Sequence, residues 1–405
     1  MISIQEALSI IQQNQPPART EEVALSEAAG RILAAEILAP EPSPRYTNSA
    51  MDGFALRWED LDETETGKTP AATLTILGES RAGEPFNRPV ARGQAIRIST
   101  GAMLPPTCDT VVRVEDTEVR GDKVVILQAR GKKQDIRFVG EEFEEGELLL
   151  QKNTALFPPQ LALLASVGIS VVQVYRRPEV SVMVTGSELV AWDDRAAPDQ
   201  IRDSNTIMLK TAVELAGGVV TLSEHVEDSM AATVRAIEKA MTVGNILLFS
   251  GGVSVGRHDH VKAAALSMAF SQLFWKIRQK PGKPLFLARK NDCLLFGLPG
   301  NPVSAFMCFS FYVQPLLGNL MGGGFCWRTV RARTTVDIMN SGDRVNFMRV
   351  SLYTDNDGAT VFRLAGGQGS HMLTSIARAD GFIIVDARKI IAAQSWLDVY
   401  LLPWK

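Results

Sequence analysis

Two kinds of apolar spacing divide the chain. The opening MISIQEALSIIQQ places Ile2, Ile4, Leu8, Ile10 and Ile11 as an amphipathic helix would. Leucines and alanines recur periodically from Ala28 to Ile37, so residues 1–43 read as helical up to the proline cluster Pro40, Pro42 and Pro44. From about 45 to 141 the pattern becomes short alternating runs (LTIL, AIRI, TVVRVE, KVVIL) separated by glycine and proline, which signals a β-rich module. LFPPQLALLASVG then restores a leucine face, with Gly168 as its stop. A β module between two helical pieces predicts an inserted domain: 44–141 within a helical linking unit made of 1–43 and 142–175.

Residues 176–324 alternate strand and helix. VSVMV (180–184) is a strand, SNTIMLKTAVELAGG a helix ending at Gly217 and Gly218, MAATVRAIEKAM a helix, NILLFS a buried strand, and 301–317 a further helix. Such alternation implies a parallel sheet covered by helices. From Phe325 to the end, the runs TVRARTTVDI, VNFMRVSLY and GFIIVDA suit a small β-barrel or sandwich. The expected fold class is therefore multidomain, α/β and β.

At 405 residues the chain exceeds what one core ordinarily supports, consistent with two to four domains. A hydrophobic fraction of 46% and a charged fraction of 21% belong to a packed globular protein. A net charge of -3 provides no global basic field, which argues against nucleic acid as a partner and requires any anion site to be local. The N-terminus lacks a basic stretch followed by an unbroken apolar run, so no signal peptide is expected. The apolar run from Phe306 to Leu317 is interrupted by Ser310, Gln314 and Pro315, and no membrane span is expected from it. Cys108, Cys293, Cys308 and Cys326 show no metal-ligand spacing and read as free thiols in a reducing cytoplasm.

Strand NILLFS runs directly into GGVSVGRHD, which sets Gly251, Gly252, Ser254 and Gly256 where a parallel strand gives way to a helix. Ligands of open α/β sheets bind at that carboxyl edge, and glycine lets backbone N–H groups approach an anion. A plain tight turn would use the same glycines. Neither a Walker A motif nor GxGxxG is present, against a P-loop NTPase or a dinucleotide dehydrogenase. A second loop, Gly297 to Pro302, is stiffened by Pro299 and Pro302 around Gly300 and Asn301. Between them, WKIRQKPGKP on an extended strand would point Lys276, Arg278 and Lys280 to one side, with Lys283 nearby, as an oxyanion-holding face or a solvated edge.

The acidic candidates are Asp52, Glu188, Asp228 and Asp259. The last three each closely follow a predicted strand, which gathers them at one sheet edge. Clustered carboxylates repel unless a cation or donor satisfies them, which implies Mg²⁺. For a single acid, an N-cap or a surface charge is the alternative. His258 and His260 bracket Asp259, but no third His or Cys stands at ligand spacing, so a transition-metal site is not expected.

NSAMDGFA (48–55), IRISTGAMLP (96–105), VVRVEDTE (111–118), VTGSEL (184–189), FSGGVSVG (249–256), KPGKP (280–284), GLPGNPVSA (297–305) and GGQGSHML (366–373) together resemble the MoeA/gephyrin E-domain family, in order and over nearly the whole chain. The resemblance implies four parts: a helical segment, an inserted β domain, a MogA-like α/β domain that holds a pterin, and a C-terminal β-barrel, assembled as an elongated homodimer. It carries the family's acids over to Asp52, Glu188, Asp228 and Asp259, with Asp228 and Asp259 as Mg²⁺ candidates, and the loop hydroxyl to Thr100. The basic residues carry over to Arg137, Lys276, Lys280 and Arg349, and Ser370, Pro299 and Pro302 match the family's serine and rigid loop. Ser187 stands where the family usually has Asp, and Phe138 and Val139 replace basic residues, which weakens those positions as a ligand and as oxyanion attraction.

The implied reaction is insertion of molybdate into adenylylated molybdopterin with release of AMP, assisted by Mg²⁺. A pterin's adjacent amino and amide N–H groups suit a carboxylate. A molybdopterin adenylyltransferase shares the α/β domain but lacks the extra β domains, and a non-catalytic scaffold would tend to lose the acids. That adenylyltransferase and molybdoenzyme maturation proteins are the partners such a reaction implies.

Overall fold

The computed structural model describes the whole chain apart from residues 62–71 and 254–259. Helix Ile4–Asn14 begins in a capping box, with Ser3 Oγ accepting from Glu6 N (3.1 Å) and Glu6 Oε2 accepting from Ser3 N (2.7 Å). Its buried face (Ile4, Ala7, Ile11) joins the core of the α/β layer rather than a helical unit of its own.

The helix predicted across the rest of 1–43 is not there. After Pro16 and Pro17 the chain is extended: Thr20–Ala24 pairs antiparallel with Val171–Tyr175, and Ile37–Leu38 with Leu148–Leu150. Gly30 at φ +72° breaks the apolar periodicity, and Leu33 is fully buried against Leu156, Leu164 and Val174. Pairing with a distant strand outweighs the helix propensity of the Leu/Ala-rich segment, worth only tenths of a kcal/mol per residue. Helix Pro158–Ser166, ended by Gly168 at φ +76°, forms where its leucine face predicts.

The β module contains a six-stranded sheet in the order Thr110–Arg113, Gly53–Leu56, Gln94–Ile98, Ala72–Ser80, Lys123–Ile126, Thr117–Arg120. Its strands alternate sides, so Phe54 and Leu56 enter one apolar cluster while Ala55 enters another with Ile96 and Val111.

The α/β layer has a six-stranded sheet ordered Val219–Val226, Glu179–Thr185, Ile246–Ser250, Cys293–Leu298, Phe286–Lys290, Ser271–Trp275. The first four strands are parallel and the last two antiparallel. Both faces are dry, as an apolar run such as ILLFS requires: Ile246 and Leu248 pack towards helices Asn205–Leu215 and Pro302–Cys308, while Leu247 and Phe249 pack towards Met230–Val243 and His260–Ser267. Full burial of each such side chain contributes roughly 1.5–3 kcal/mol.

The apolar run read as interrupted is one continuous helical stretch, Pro302–Leu320, with a π-turn at Phe309–Val313. Pro315 has no N–H to donate and its ring crowds the carbonyl one turn back, which widens the ladder without ending it. The stretch is long and apolar enough to cross a membrane, but 78% of it is buried inside the fold as the core helix of the sheet.

At the C-terminus, Val345–Thr354, Thr360–Leu364, Thr329–Thr334, Trp396–Leu401 and Gly381–Val385 close into a five-stranded barrel. It is filled by Val350, Phe362, Ile383 and Val399. Gln279–Lys280 from the α/β layer adds to its edge beside Val345.

Candidate functional site

The carboxyl ends of the four parallel strands open into one pocket of about 630 Å³. Glu188 follows the first of these strands in the chain and Asp228 the second, and both carboxylates line the cavity. Asp228 Oδ2 accepts from Ser187 N (2.8 Å), so Ser187 supplies a backbone donor that fixes the acid rather than a second carboxylate. Gly251 and Gly252 follow the third strand, and Pro299, Gly300, Asn301 and Pro302 follow the fourth. Gly251 has φ +95°, and a Cβ there would lie 2.6 Å from Thr185 O, so only glycine lets these two strand ends lie side by side.

Asn205, which opens a helix and is 8% exposed, ties the loops together. Its Nδ2 donates to Ser250 Oγ (2.8 Å) and to Gly300 O (2.7 Å), and Ser250 Oγ in turn donates to Pro299 O (3.3 Å). Asp203 caps the same helix by accepting from Thr206 N (3.0 Å). Sequence reading missed both residues, although RDSN before an apolar periodic run is a helix-start signal. It also did not single out His371 and Leu373, which reach the pocket from the barrel domain, although both lie in the motif GGQGSHML beside Ser370.

The barrel meets the pocket through its loop at 366–373. Asn301 Nδ2 donates to Ser370 Oγ (3.0 Å) and Val303 N to Ser370 O (3.1 Å). Arg349 stands behind that loop, 1% exposed, donating to Gly367 O (3.3 Å), Gly369 O (3.2 Å) and Ser375 Oγ (3.3 Å). No carboxylate pairs with it among the described residues, and burial lowers its pKa to about 10. The geometry makes Arg349 a support for the Ser370 loop.

Other expected residues lie elsewhere. In the β module, Asp52 Oδ1 accepts from Thr100 N (2.7 Å) and Thr100 Oγ1 (3.1 Å), and Arg137 pairs with Asn48 in the neighbouring two-stranded ladder. Asp52 and Thr100 are therefore one unit, but neither they nor Arg137 line this chain's pocket. Ser254, Gly256 and Asp259 fall outside the described residues, as does His258, so the Mg²⁺ expectation rests here on Asp228 alone. Among the described residues no group of three His, Cys, Asp or Glu could hold a metal.

The expected row of Lys276, Arg278 and Lys280 is not formed. Lys276 has φ +71°, and Arg278 N bonds back to Ile2 O (2.8 Å), so the chain turns between strands Ser271–Trp275 and Gln279–Lys280 and the two-residue alternation is lost. Lys276 Nζ instead sits 3.8 Å from the centre of the Trp275 ring, and Lys262 Nζ lies 3.7 Å from the same centre. Trp275 Nε1 donates to Val253 O (3.2 Å), which ties the ring that both ammonium groups contact to the pocket's glycine loop.

Comparison with known proteins matches the same organisation. The MoeA N-terminal region (domains I and II) matches residues 2–168, a probable molybdopterin-binding domain 181–319, and the MoeA C-terminal region (domain IV) 331–402. A molybdopterin molybdenumtransferase of Haemophilus influenzae is 34% identical over 96% of this chain and 95% of its own length. One of Bacillus subtilis is 32% identical over 95% and 90%. The crystal structure of a molybdopterin biosynthesis MoeA protein from Pyrococcus horikoshii is 30% identical and superposes with a TM-score of 0.85 over 99% of both chains. The chain belongs to the MoeA family of molybdopterin molybdenumtransferases, transferases of molybdenum cofactor biosynthesis.

Proposed function

We propose that the chain inserts molybdate into adenylylated molybdopterin with release of AMP, using the pocket at the four parallel strand ends. The observation that carries this reading is the convergence there of two carboxylates, Glu188 and Asp228, with two backbone loops that meet through Asn205. The pterin's N–H donors suit the carboxylates, while exposed backbone N–H groups suit the phosphate. Lys262 and Lys276, both held on the Trp275 ring that bonds to Val253, would offer local positive charge for molybdate.

A pocket carboxylate such as Asp228 fits Mg²⁺, which typically takes one or two carboxylates together with substrate phosphates. When bound, the ion would neutralise charge on the departing phosphate. Asp228 would hold it, with Asp259 as the further candidate ligand.

Asp52 and Thr100 would complete the site from a partner subunit in a homodimer, since a two-fold interface makes both sites equivalent. A molybdopterin adenylyltransferase would supply the substrate, and molybdoenzyme maturation proteins would receive the product. Purified protein incubated with adenylylated molybdopterin, molybdate and Mg²⁺ should release AMP in step with cofactor formation, and Glu188→Gln and Asp228→Asn should lose both. AMP release without metal insertion, or neither, would refute the reading.

A further inference from the structure

Arg202 is the one lysine or arginine among the described residues of the pocket wall, so further positive charge for an oxyanion has to come from the rim. Pro284 lines the pocket and ends a short loop, Lys280–Pro284, that leaves the edge of the barrel. Lys280 and Lys283 stand exposed on this loop, and their ammonium groups go where its backbone is held. Its base is closed by Ile277 N donating to Lys283 O (2.9 Å) and Lys276 N to Leu285 O (2.9 Å). Its tip needs another hold, because Pro281 has no N–H to donate and Gly282, at φ +90°, has no side chain to pack.

That hold is Gln279, a long polar side chain only 1% exposed. Its Nε2 donates to Pro281 O (3.1 Å) and Gly282 O (3.4 Å), the two carbonyls of the tip. Only the amide nitrogen can face two carbonyl oxygens, which turns the amide oxygen the other way, where Tyr312 donates its hydroxyl. Burial raises the Tyr312 pKa, so the phenol keeps the proton it donates. Cys308, one turn earlier on the same helical stretch, fills the remaining space: a Cβ on Gly282 would lie 2.5 Å from its Sγ and 2.6 Å from Gln279 Nε2. The Gln279 backbone is fixed as well, its carbonyl accepting from Arg344 Nη1 of the barrel (3.2 Å). Phe311, beside Tyr312 in the π-turn, packs on the barrel rings of Phe347 and Phe382 at centroid distances of 4.2 and 5.0 Å. One helical turn therefore holds the barrel and the loop in a single frame.

We propose that Gln279 and Tyr312 are positioning residues: the chain from the Tyr312 hydroxyl through the Gln279 amide to the loop carbonyls holds Lys280 where its ammonium meets molybdate at the pocket's rim. The inference rests on the reaction proposed above, and its test separates the two. Initial rates of cofactor formation are measured on the intact protein at varied molybdate and saturating adenylylated molybdopterin, for wild type, Tyr312→Phe, Lys280→Gln and the double variant.

Tyr312→Phe removes one oxygen atom and leaves Gln279 Oε1 buried without its donor, which loosens the amide's grip on the tip. The half-saturating molybdate concentration should rise roughly 2- to 13-fold, the worth of one ordinary hydrogen bond, while the limiting rate stays within about 2-fold of wild type. In the Lys280→Gln background the same change should add nothing, because a residue that acts through another has no effect once that other is gone. Gly282→Ala displaces the tip from within the loop and should reproduce the Tyr312→Phe behaviour, so the inference stays testable if Tyr312→Phe fails to fold. A molybdate dependence unchanged in a folded Tyr312→Phe or Gly282→Ala, or an equal penalty with and without Lys280, overturns the positioning role and leaves the proposed reaction standing. A wild type that forms no cofactor from adenylylated molybdopterin removes both.

Discussion

Alanine at Gly251 should open the pocket's floor, whereas alanine at Gly300, its neighbour in the next loop, should not. At Gly251 the backbone sits at φ +95°, which costs a residue with a Cβ about 1–3 kcal/mol. The new methyl would stand 2.6 Å from Thr185 O and 2.8 Å from Thr185 Oγ1, and relieving that overlap costs about 1–3 kcal/mol more. The sum, about 2–6 kcal/mol, falls on the contact between strands Glu179–Thr185 and Ile246–Ser250. A Cβ on Gly300 meets nothing closer than Gly251 Cα at 3.7 Å, an ordinary contact, so Gly300→Ala should stay within about 1 kcal/mol of wild type. Because a multidomain chain has no single unfolding free energy, the assay is hydrogen exchange of the amides of Ile246–Ser250. Gly251→Ala should speed their exchange roughly 30-fold or more, with Gly300→Ala close to wild type. Equal exchange in the two variants would refute the reasoning.

Three further outcomes follow from the structure. Cys108, Cys293 and Cys308 are buried, with the first two thiols pushed up to about 12 and the third raised likewise by burial, so native protein treated with iodoacetamide at pH 8 should add one group, at exposed Cys326, and four after unfolding, as read by intact mass. Burial raises the pKa of Asp109, but hydrogen bonds from Trp58 N (2.7 Å), Lys132 (3.1 Å) and Thr110 Oγ1 (3.1 Å) outweigh it and hold the carboxyl below its ordinary value. Its stabilisation is therefore full above the unfolded pKa of about 3.9 and is lost as pH falls through the lower folded value; the protection of β-module amides, relative to their intrinsic exchange at each pH, should fall on acidification below about pH 4, and Asp109→Asn should flatten that response. Finally, if Asp52 serves the partner's site, mixing inactive Asp52→Ala with inactive Asp259→Ala should restore activity to about a quarter of the sites after subunit exchange, whereas tagged dimers that exchange without recovery would place Asp52 elsewhere.

Elements whose own residues set the burial pattern were legible in the sequence. ILLFS reads as a strand covered on both faces because every position is apolar, and Glu188 and Asp228 could be placed together because each trails a strand of the same parallel sheet. Strand Thr20–Ala24 was illegible because its partner Val171–Tyr175 lies far along the chain, and local leucine periodicity says nothing of it. The turn at Lys276 defeated the two-residue alternation, since a left-handed residue leaves no mark when it is not glycine or asparagine. His371 entered the pocket only because two domains pack there, a fact that no window of sequence contains. Arg349 matched a family motif, yet only the structure places its guanidinium behind the Ser370 loop.

The paired strands Ile37–Leu38 and Leu148–Leu150 form a stalk at which the chain enters and leaves the β module. A folded module thus delivers its two ends to each other, and the segments on either side behave as if joined by a short connector. Closing a connection of roughly 10 residues instead of roughly 100 spares about 2 kcal/mol of chain entropy. The order of assembly is thereby suggested: the module condenses first, and the discontinuous unit around Leu33 and Val174 zips together behind it. Variants that unfold the module should slow acquisition of that second core far more than their effect on its own contacts would indicate, coupling the maturation of two regions that share few side chains.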